Sequence, residues 1–411
     1  MKKINTNILL NFTSQGFLYL IPLLAYPQIA GILGEVEFTK YLYLISIVSL
    51  LSLFIRYGFD ISIIKVINGK KRSDLYRDKL YSATTIVRLF IYAISSLFIY
   101  ILICIYKEES VSLFFALVFS GIGFVISKNF LYVSSQRFLA ITISTIVSKI
   151  IFLAILVLPF AITLSLDWII LLNSIFITTP FLFLYALDKT RFTTKLRFSY
   201  IQTITKDASK YFMANVSKNI NTALIPILAA EFIAMKTVGA IVIIMLVRNV
   251  IITLLSSITI AIFPDNLQLK KTDYIGYINQ FKLYLRISVS LSLFIILLAY
   301  FSSEYIVSFI SNDTIGLDKK LFLAFIISIP IGIINNFTCI QFLIPHNYKN
   351  YVNYLVSLSN IIGLIVILIL YQYINEYAPA IGLLIIEITI LYFSFKKIRE
   401  VGNENLLDRI F

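Results

Sequence analysis

The chain is 411 residues long, 59% apolar and only 14% charged, with a mean hydropathy of +0.90 and a net charge of +14. Soluble domains carry about 25% charged residues, and a globule of this composition would expose extensive apolar surface, so a soluble fold is excluded. At roughly 20 apolar residues per transmembrane helix, the length holds about twelve spans and leaves little for a soluble domain. Met1-Lys2-Lys3 precedes an apolar run with no small-residue cleavage signature, which reads as a first helix and not as a removed signal peptide. Apolar runs broken by polar clusters predict helices at about 8–29, 39–59, 82–105, 111–133, 139–162 and 168–187. After a basic segment, further helices are predicted at about 211–234, 238–262, 283–303, 321–344, 350–373 and 377–395. The expected organisation is an N-terminal six-helix bundle (1–187), a cytoplasmic basic linker (188–210), a C-terminal six-helix bundle (211–397) and a cytoplasmic tail (398–411).

The charges set an orientation. If the N-terminus is cytoplasmic, alternate loops should be basic. Of the 35 Lys and Arg, 24 fall in segments that would face inside and 6 within predicted helices. Only Lys40, Lys107, Lys236, Lys319 and Lys320 fall outside. Both termini are therefore expected in the cytoplasm. Loop-clustered basic residues answer to topology and anionic headgroups, not to nucleic acid. Cys104 and Cys339 lie in apolar runs and read as small buried hydrophobes.

The halves echo each other. Asn11, Ser14, Gln15 and Leu20-Ile21-Pro22 align with Asn215, Lys218, Asn219 and Leu224-Ile225-Pro226 at an offset of 204, with 8 identities over 25 positions. Six spans per half is an even number, so the repeats would be parallel, related by an axis along the membrane normal.

Six cations lie within predicted spans: Arg56, Arg88, Lys149, Lys218, Arg248 and Arg286. Asp60 and Glu387 are the acids there. Arg56, Arg286 and Asp60 lie near enough to the cytoplasmic surface to snorkel. Lys149, Arg248 and Glu387 fall about ten residues from their helix starts, close to the midplane, with Arg88 and Lys218 somewhat shallower. Four deep cations facing lipid would cost on the order of 10 kcal/mol, so Arg88, Lys149, Lys218 and Arg248 are expected to face a hydrated interior. Glu387 must be protonated or held by a cation such as Lys149 or Arg248. It can neutralise one cation, and the remaining excess reads as an anion-binding site. Asn215, Lys218, Asn219 and Thr222 follow helical spacing and make one polar stripe, as do Asn11, Ser14 and Gln15. Such stripes line a cavity or join helices by hydrogen bonds. Pro22 and Pro226 follow each stripe and should kink the helix, and Pro330 and Pro345 bracket the tenth span.

Enzyme signatures are sparse. The one histidine, His346, has no partner for metal or triad chemistry in the sequence, and Gly69-Lys70-Lys71-Arg72-Ser73 lacks the upstream glycine of a phosphate loop. No catalytic residue, metal ligand or cofactor is expected.

Several stretches resemble the polysaccharide (O-antigen) flippases of the MATE-type exporter superfamily. They are Asn11 through Gly34 with Phe38 and Tyr41, Tyr57-Gly58-Phe59 with Ile63-Ile64-Lys65, and Ser148-Lys149. Further on they are Pro330-Ile331-Gly332, Asn335-Asn336, Gln341 through Pro345, and Gly382 through Glu387. The sequence departs from the pattern at Arg56, where many relatives have an acid or a small residue, and at Val133-Ser134, where many O-antigen members have Gln-Gly. The resemblance implies an all-α, MATE-like membrane protein. It would move an undecaprenyl-pyrophosphate-linked oligosaccharide from the cytoplasmic to the periplasmic leaflet of a bacterial inner membrane by alternating access. It also implies coupling to an H+ or Na+ gradient or to the membrane potential, with Glu387 the candidate coupling residue. Polymerase and chain-length proteins of the same pathway are the implied protein partners. Two rivals remain: a membrane-embedded O-antigen polymerase or ligase, which would place a long catalytic loop outside, and a drug/cation antiporter, which would favour an anionic cavity.

Overall fold

A computed structural model describes residues 2–68, 74–106, 111–135, 137–193, 196–316 and 318–401, with side chains in the first helix described from Leu23 onward. Among these residues all regular structure is helical. A helix runs through each predicted apolar stretch, and the differences lie at the breaks.

The first helix, α1 (Lys2–Arg56), carries both of the first two predicted spans. Gly34 alone interrupts it, with φ 70 and ψ 178. Lacking a Cβ, glycine takes this conformation without strain, and one residue replaces the predicted loop. Tyr57 (φ 41) and Gly58 (φ 72) then turn the chain into α2 (Phe59–Asn68). Next come α3 (Asp74–Tyr106), α4 (Val111–Ile126) and α5 (Asn129–Ser134), so the predicted fourth span is broken at Ser127-Lys128. The fifth span stops early: α6 (Phe138–Val157) ends where Pro159 forces Leu158 into an extended conformation. After α7 (Leu166–Leu187), α8 (Phe198–Phe232) begins well before residue 211, so the basic segment expected as a linker is helical from Phe198 onward.

The chain divides into two compact units, Met1–Leu224 and Ile225–Phe411, and the division falls inside α8. In the first unit, neighbouring helices are joined by serine hydroxyls donating to carbonyls: Ser174 to Ala116 at 2.7 Å and Ser148 to Phe176 at 2.6 Å. In lipid there is no hydrophobic drive between helices, and such bonds with close packing hold them together. A Cβ on Gly58 would lie 2.7 Å from the Ala208 carbonyl oxygen, so α8 packs on bare backbone there.

The second unit holds α9 (Met235–Thr272), α10 (Tyr274–Phe301), α11 (Ser303–Ser311), α12 (Lys319–Ile326), α13 (Ser328–Asn336), α14 (Lys349–Ile374) and α15 (Ala378–Val401). The predicted tenth span is broken between α12 and α13. Pro330 has no N–H to offer the Ile326 carbonyl, so the ladder lapses there. From Phe337 to Leu343 the helix continues in π geometry. α14 and α15 approach closely where Gly363 faces Ile386 and Gly382 faces Ile367.

Long rows of exposed apolar side chains, such as Leu89, Phe90, Leu97 and Phe98 on α3 and Leu293, Phe294 and Leu297 on α10, mark lipid-facing surface. Nine stretches of the described residues are long and apolar enough to cross a membrane, one of which, 349–400, contains two predicted spans. This is a multi-pass membrane protein.

Candidate functional site

In the second unit, polar chemistry collects around one carboxylate. Arg248, buried on α9, donates from Nε to Ser328 Oγ at 2.8 Å and from Nη2 to Glu387 Oε1 at 3.0 Å. Glu387 Oε2 accepts from Asn335 Nδ2 at 2.8 Å, and the same amide donates to the Glu387 backbone carbonyl. Ser328 in turn donates to the Phe325 carbonyl, which the break before α13 leaves available. Gly332 makes room for this: a Cβ there would sit 3.1 Å from Glu387 Oε1. The Glu387 side chain is 17% exposed, so the pair is buried but within reach of water. Both carboxylate oxygens therefore accept N–H groups, one from the Arg248 guanidinium and one from the Asn335 amide.

The first unit has two buried cations with partners. Arg88 on α3 donates to Asp60 Oδ1 at 2.8 Å and to the Ser127 carbonyl at 2.9 Å, with its guanidinium over the Phe59 and Phe130 rings. The break between α4 and α5 frees that carbonyl. Lys128, 1% exposed, donates to the carbonyls of Tyr185, Asp188 and Thr190 just past and within the last turn of α7. The Tyr81 and Tyr185 rings pack on its ammonium at 5.0 and 4.3 Å. A cation at a helix C-terminus meets the negative end of the dipole.

Lys149 on α6 differs. It is half-buried, and among the described residues it has neither a carboxylate nor a hydrogen-bond partner. Of the three deep cations whose side chains are described, Arg88, Lys149 and Arg248, it alone has no counter-charge among the described residues.

At the other end of α13 the chain is tied to α9 and α10. Gln341 accepts from Asn266 at 2.8 Å and donates to the Thr259 carbonyl, while the Tyr277 hydroxyl donates to the Gln341 carbonyl at 2.5 Å. Lys270 Nζ donates to the Pro345 carbonyl at 2.7 Å. His346 stacks on Phe342 at 4.4 Å, with Tyr274 and Tyr277 also against its ring, and Nδ1 lies 2.7 Å from the Phe342 carbonyl. Burial pulls the His346 pKa down, the Phe342 carbonyl opposes this, and the Lys270 charge adds to the lowering.

Besides Lys149, the predicted site residues thus fall into three groups. Arg248 and Glu387 meet directly. Arg88 belongs to the first unit and is paired with Asp60, which is held by this bond and does not simply snorkel; the fourth-span break and the α2 start bring the two together. The side chains of Asn11, Gln15, Asn215, Lys218 and Asn219 lie outside the described residues. Lys128 was counted as a cytoplasmic loop cation and is buried instead, because carbonyls and two aromatic rings replace its water. Asn335, an amide in the middle of an apolar run, was the available signal for the Glu387 cluster. Among the described residues no group of three His, Cys, Asp or Glu is placed to hold a metal ion.

A family model described as polysaccharide biosynthesis protein matches residues 4–268. A search of curated proteins gives no match. Among solved structures, the chain is similar to an inward-facing multidrug resistance MATE family transporter of the MOP superfamily, with TM-score 0.60, 13% identity, and 96% of this chain and 94% of that chain covered. It is similar to the lipid II flippase MurJ in an inward closed conformation, with TM-score 0.65, 14% identity, and 91% and 86% covered. It also resembles the Vibrio cholerae MATE transporter VcmN, with TM-score 0.59, 13% identity and 98% of each chain covered. At these identities the structural likeness shows the fold.

Proposed function

The chain belongs to the polysaccharide biosynthesis protein family, and from that premise we propose that it flips an undecaprenyl-pyrophosphate-linked oligosaccharide across a bacterial inner membrane. The observation that carries this reading is the family match over most of the chain, on a fold shared with a lipid II flippase. The substrate would be an O-antigen or similar surface-polysaccharide unit, moved from the cytoplasmic to the periplasmic leaflet by alternating access. The proposed topology has twelve spans with both termini in the cytoplasm, supported by the basic inside loops.

The chemistry suits such a substrate. A pyrophosphate leaving water needs a cation to replace its hydration. In this reading Lys149, which has no counter-charge among the described residues, would meet it, together with Lys218 on α8. Arg88 and Arg248 already hold carboxylates, so their part in substrate binding would require exchange of Asp60 or Glu387 for the phosphate. Glu387 would couple transport to an H+ or Na+ gradient, its ionisation changing as the Arg248 bond opens and closes. Polymerase and chain-length proteins would act on the flipped unit.

A drug/cation antiporter is the second reading, favoured by the likeness to multidrug resistance transporters. Lys149, which has no counter-charge among the described residues, argues against a cationic cargo. Proteoliposomes carrying the lipid-linked oligosaccharide decide between them, with a lectin added outside to report glycan in the outer leaflet. Protein-dependent lectin access is expected. Failure of the glycan to become accessible, together with uptake of an organic cation, would overturn the flippase reading.

A further inference from the structure

The second unit carries a cleft at the end opposite the π segment that the ion-pair cluster does not use. It is formed by the turn from α8 into α9 and the turn from α14 into α15, and its volume is about 570 Å³, within the roughly 300–1,000 Å³ usual for small-molecule sites. In the twelve-span topology both turns face outside. We infer that this cleft is a carbohydrate subsite, which receives one or two neutral sugar rings of the substrate as the glycan emerges. The inference rests on the flippase reading above.

Three features point to sugar. First, the wall offers aromatic faces held in place. Phe232 is stacked on Tyr371 at 4.8 Å with the rings 11° apart, which fixes one face and leaves the ring half exposed toward the cleft. Tyr373 is 76% exposed at the rim. An aromatic face carries negative charge density and attracts the polarised C–H face of a pyranose ring. Second, residues with hydrogen-bonding side chains line the same space as the rings: Thr237, Asn375 and Glu376. Together they offer both donors and acceptors, which is what adjacent sugar hydroxyls require. Third, no Lys or Arg lines the cleft among the described residues, and Glu376 would repel a phosphate. The site therefore fits the glycan and not the pyrophosphate.

The turn that carries two of these groups is held rigidly. Asn375 has φ 43 and ψ −110, a conformation costly for a residue with a Cβ. The Tyr377 hydroxyl donates to Asp318 Oδ2 at 2.7 Å and pins the turn to the start of α12.

The test uses the full chain in lipid nanodiscs, with the free oligosaccharide released by mild acid from the host's lipid-linked glycan as probe. Binding is followed by saturation-transfer NMR and calorimetry, and surface glycan is scored in cells in parallel. Wild type is expected to bind the free oligosaccharide. Tyr373→Ala and Glu376→Gln should each weaken binding about tenfold, the loss of one stacking face or one hydrogen-bond partner, while Tyr373→Phe retains it. Tyr373 is so exposed that its replacement leaves folding intact, and glycan binding unchanged in both weakened variants overturns the subsite. So does failure of wild type to bind the free oligosaccharide. Tetraphenylphosphonium binding that falls in these variants while glycan binding holds also overturns it, and assigns the cleft to organic cations. Surface glycan in wild-type cells tests the flippase reading separately: its presence with an inert cleft rejects the subsite alone, and its absence rejects the reading beneath it.

Discussion

Arg248 on α9 and Glu387 on α15 are joined across 3.0 Å inside the second unit, and Asn335 occupies the carboxylate's second oxygen. Removing one member of a buried pair leaves the other without a counter-charge and costs about 3–5 kcal/mol. Glu387→Gln should therefore lower protein abundance and melting temperature, and Glu387→Gln with Arg248→Met should restore both. Glycan export in the restored double variant separates the roles. Recovered export means the pair is structural, and a stable but inactive protein means that the pair takes part in transport, through the Glu387 charge or the Arg248 cation. Full abundance and activity in the single variant would reject both.

The Arg88–Asp60 pair is asymmetric, because Arg88 is buried while the Asp60 side chain is 35% exposed. Asp60→Ala strands a guanidinium that water does not reach. Arg88→Met strands a carboxylate that can hydrate, and its partial exposure already screens the attraction. Asp60→Ala is expected to lower the melting temperature of the purified protein more than Arg88→Met. The reverse order would mean that the Ser127 carbonyl and the two aromatic rings, and not the charge pair, dominate at this site.

The spans were legible because a membrane helix must satisfy its backbone internally over about 20 apolar residues. The ends set by Pro159 and Pro330 follow from local proline geometry and were equally available in the sequence. The break at Ser127-Lys128 was not, since its reward comes from Arg88 and from α7 carbonyls, a long way off along the chain. Glu387 stood out as a lone deep acid, yet the sequence left Lys149 and Arg248 both open as its partner. Choosing between them requires knowing that α9 and α15 both pack on α13. Gly58 shows the converse, for its place in the Tyr57-Gly58-Phe59 stretch was visible before its physical reason was.

That reason is testable. Gly58 combines a φ of 72 with an approach of 2.7 Å to the α8 backbone at both Ala208 and Phe212. A Cβ meets backbone atoms that cannot swing away, and the left-handed conformation adds its own strain. Gly58→Ala should cost about 1–3 kcal/mol or more, read as a lower melting temperature and reduced protein level. Gly34→Ala meets no atom within 4 Å of its Cβ position, so any loss there comes from its φ 70, ψ 178 backbone alone, a region open essentially to glycine. A loss in Gly58→Ala no greater than the roughly 1–2 kcal/mol that a left-handed conformation alone costs would remove the packing argument.

His346 supplies a pH dependence of known sign. Burial against Phe342, Tyr274 and Tyr277 holds its pKa below the ordinary 6.5, and the Phe342 carbonyl accepts from Nδ1 of the neutral ring. The unfolded chain therefore takes up the proton first as pH falls. Above 6.5 neither state is protonated, and the ring contributes its full stacking. Below that value the contribution declines, and it continues to decline until the folded ring is itself protonated. His346→Gln loses the stacking at every pH but carries no titrating group. Melting temperatures of wild type and His346→Gln should therefore differ most near pH 7.5 and converge toward pH 5 (about the range in which an ordinary histidine changes charge). Other groups titrate alike in both proteins, so the difference isolates this ring. A gap that stays constant would show that His346 is protonated as readily in the folded chain as in water, and a gap that widens in acid would mean that the folded state favours the imidazolium, with the Phe342 carbonyl outweighing burial.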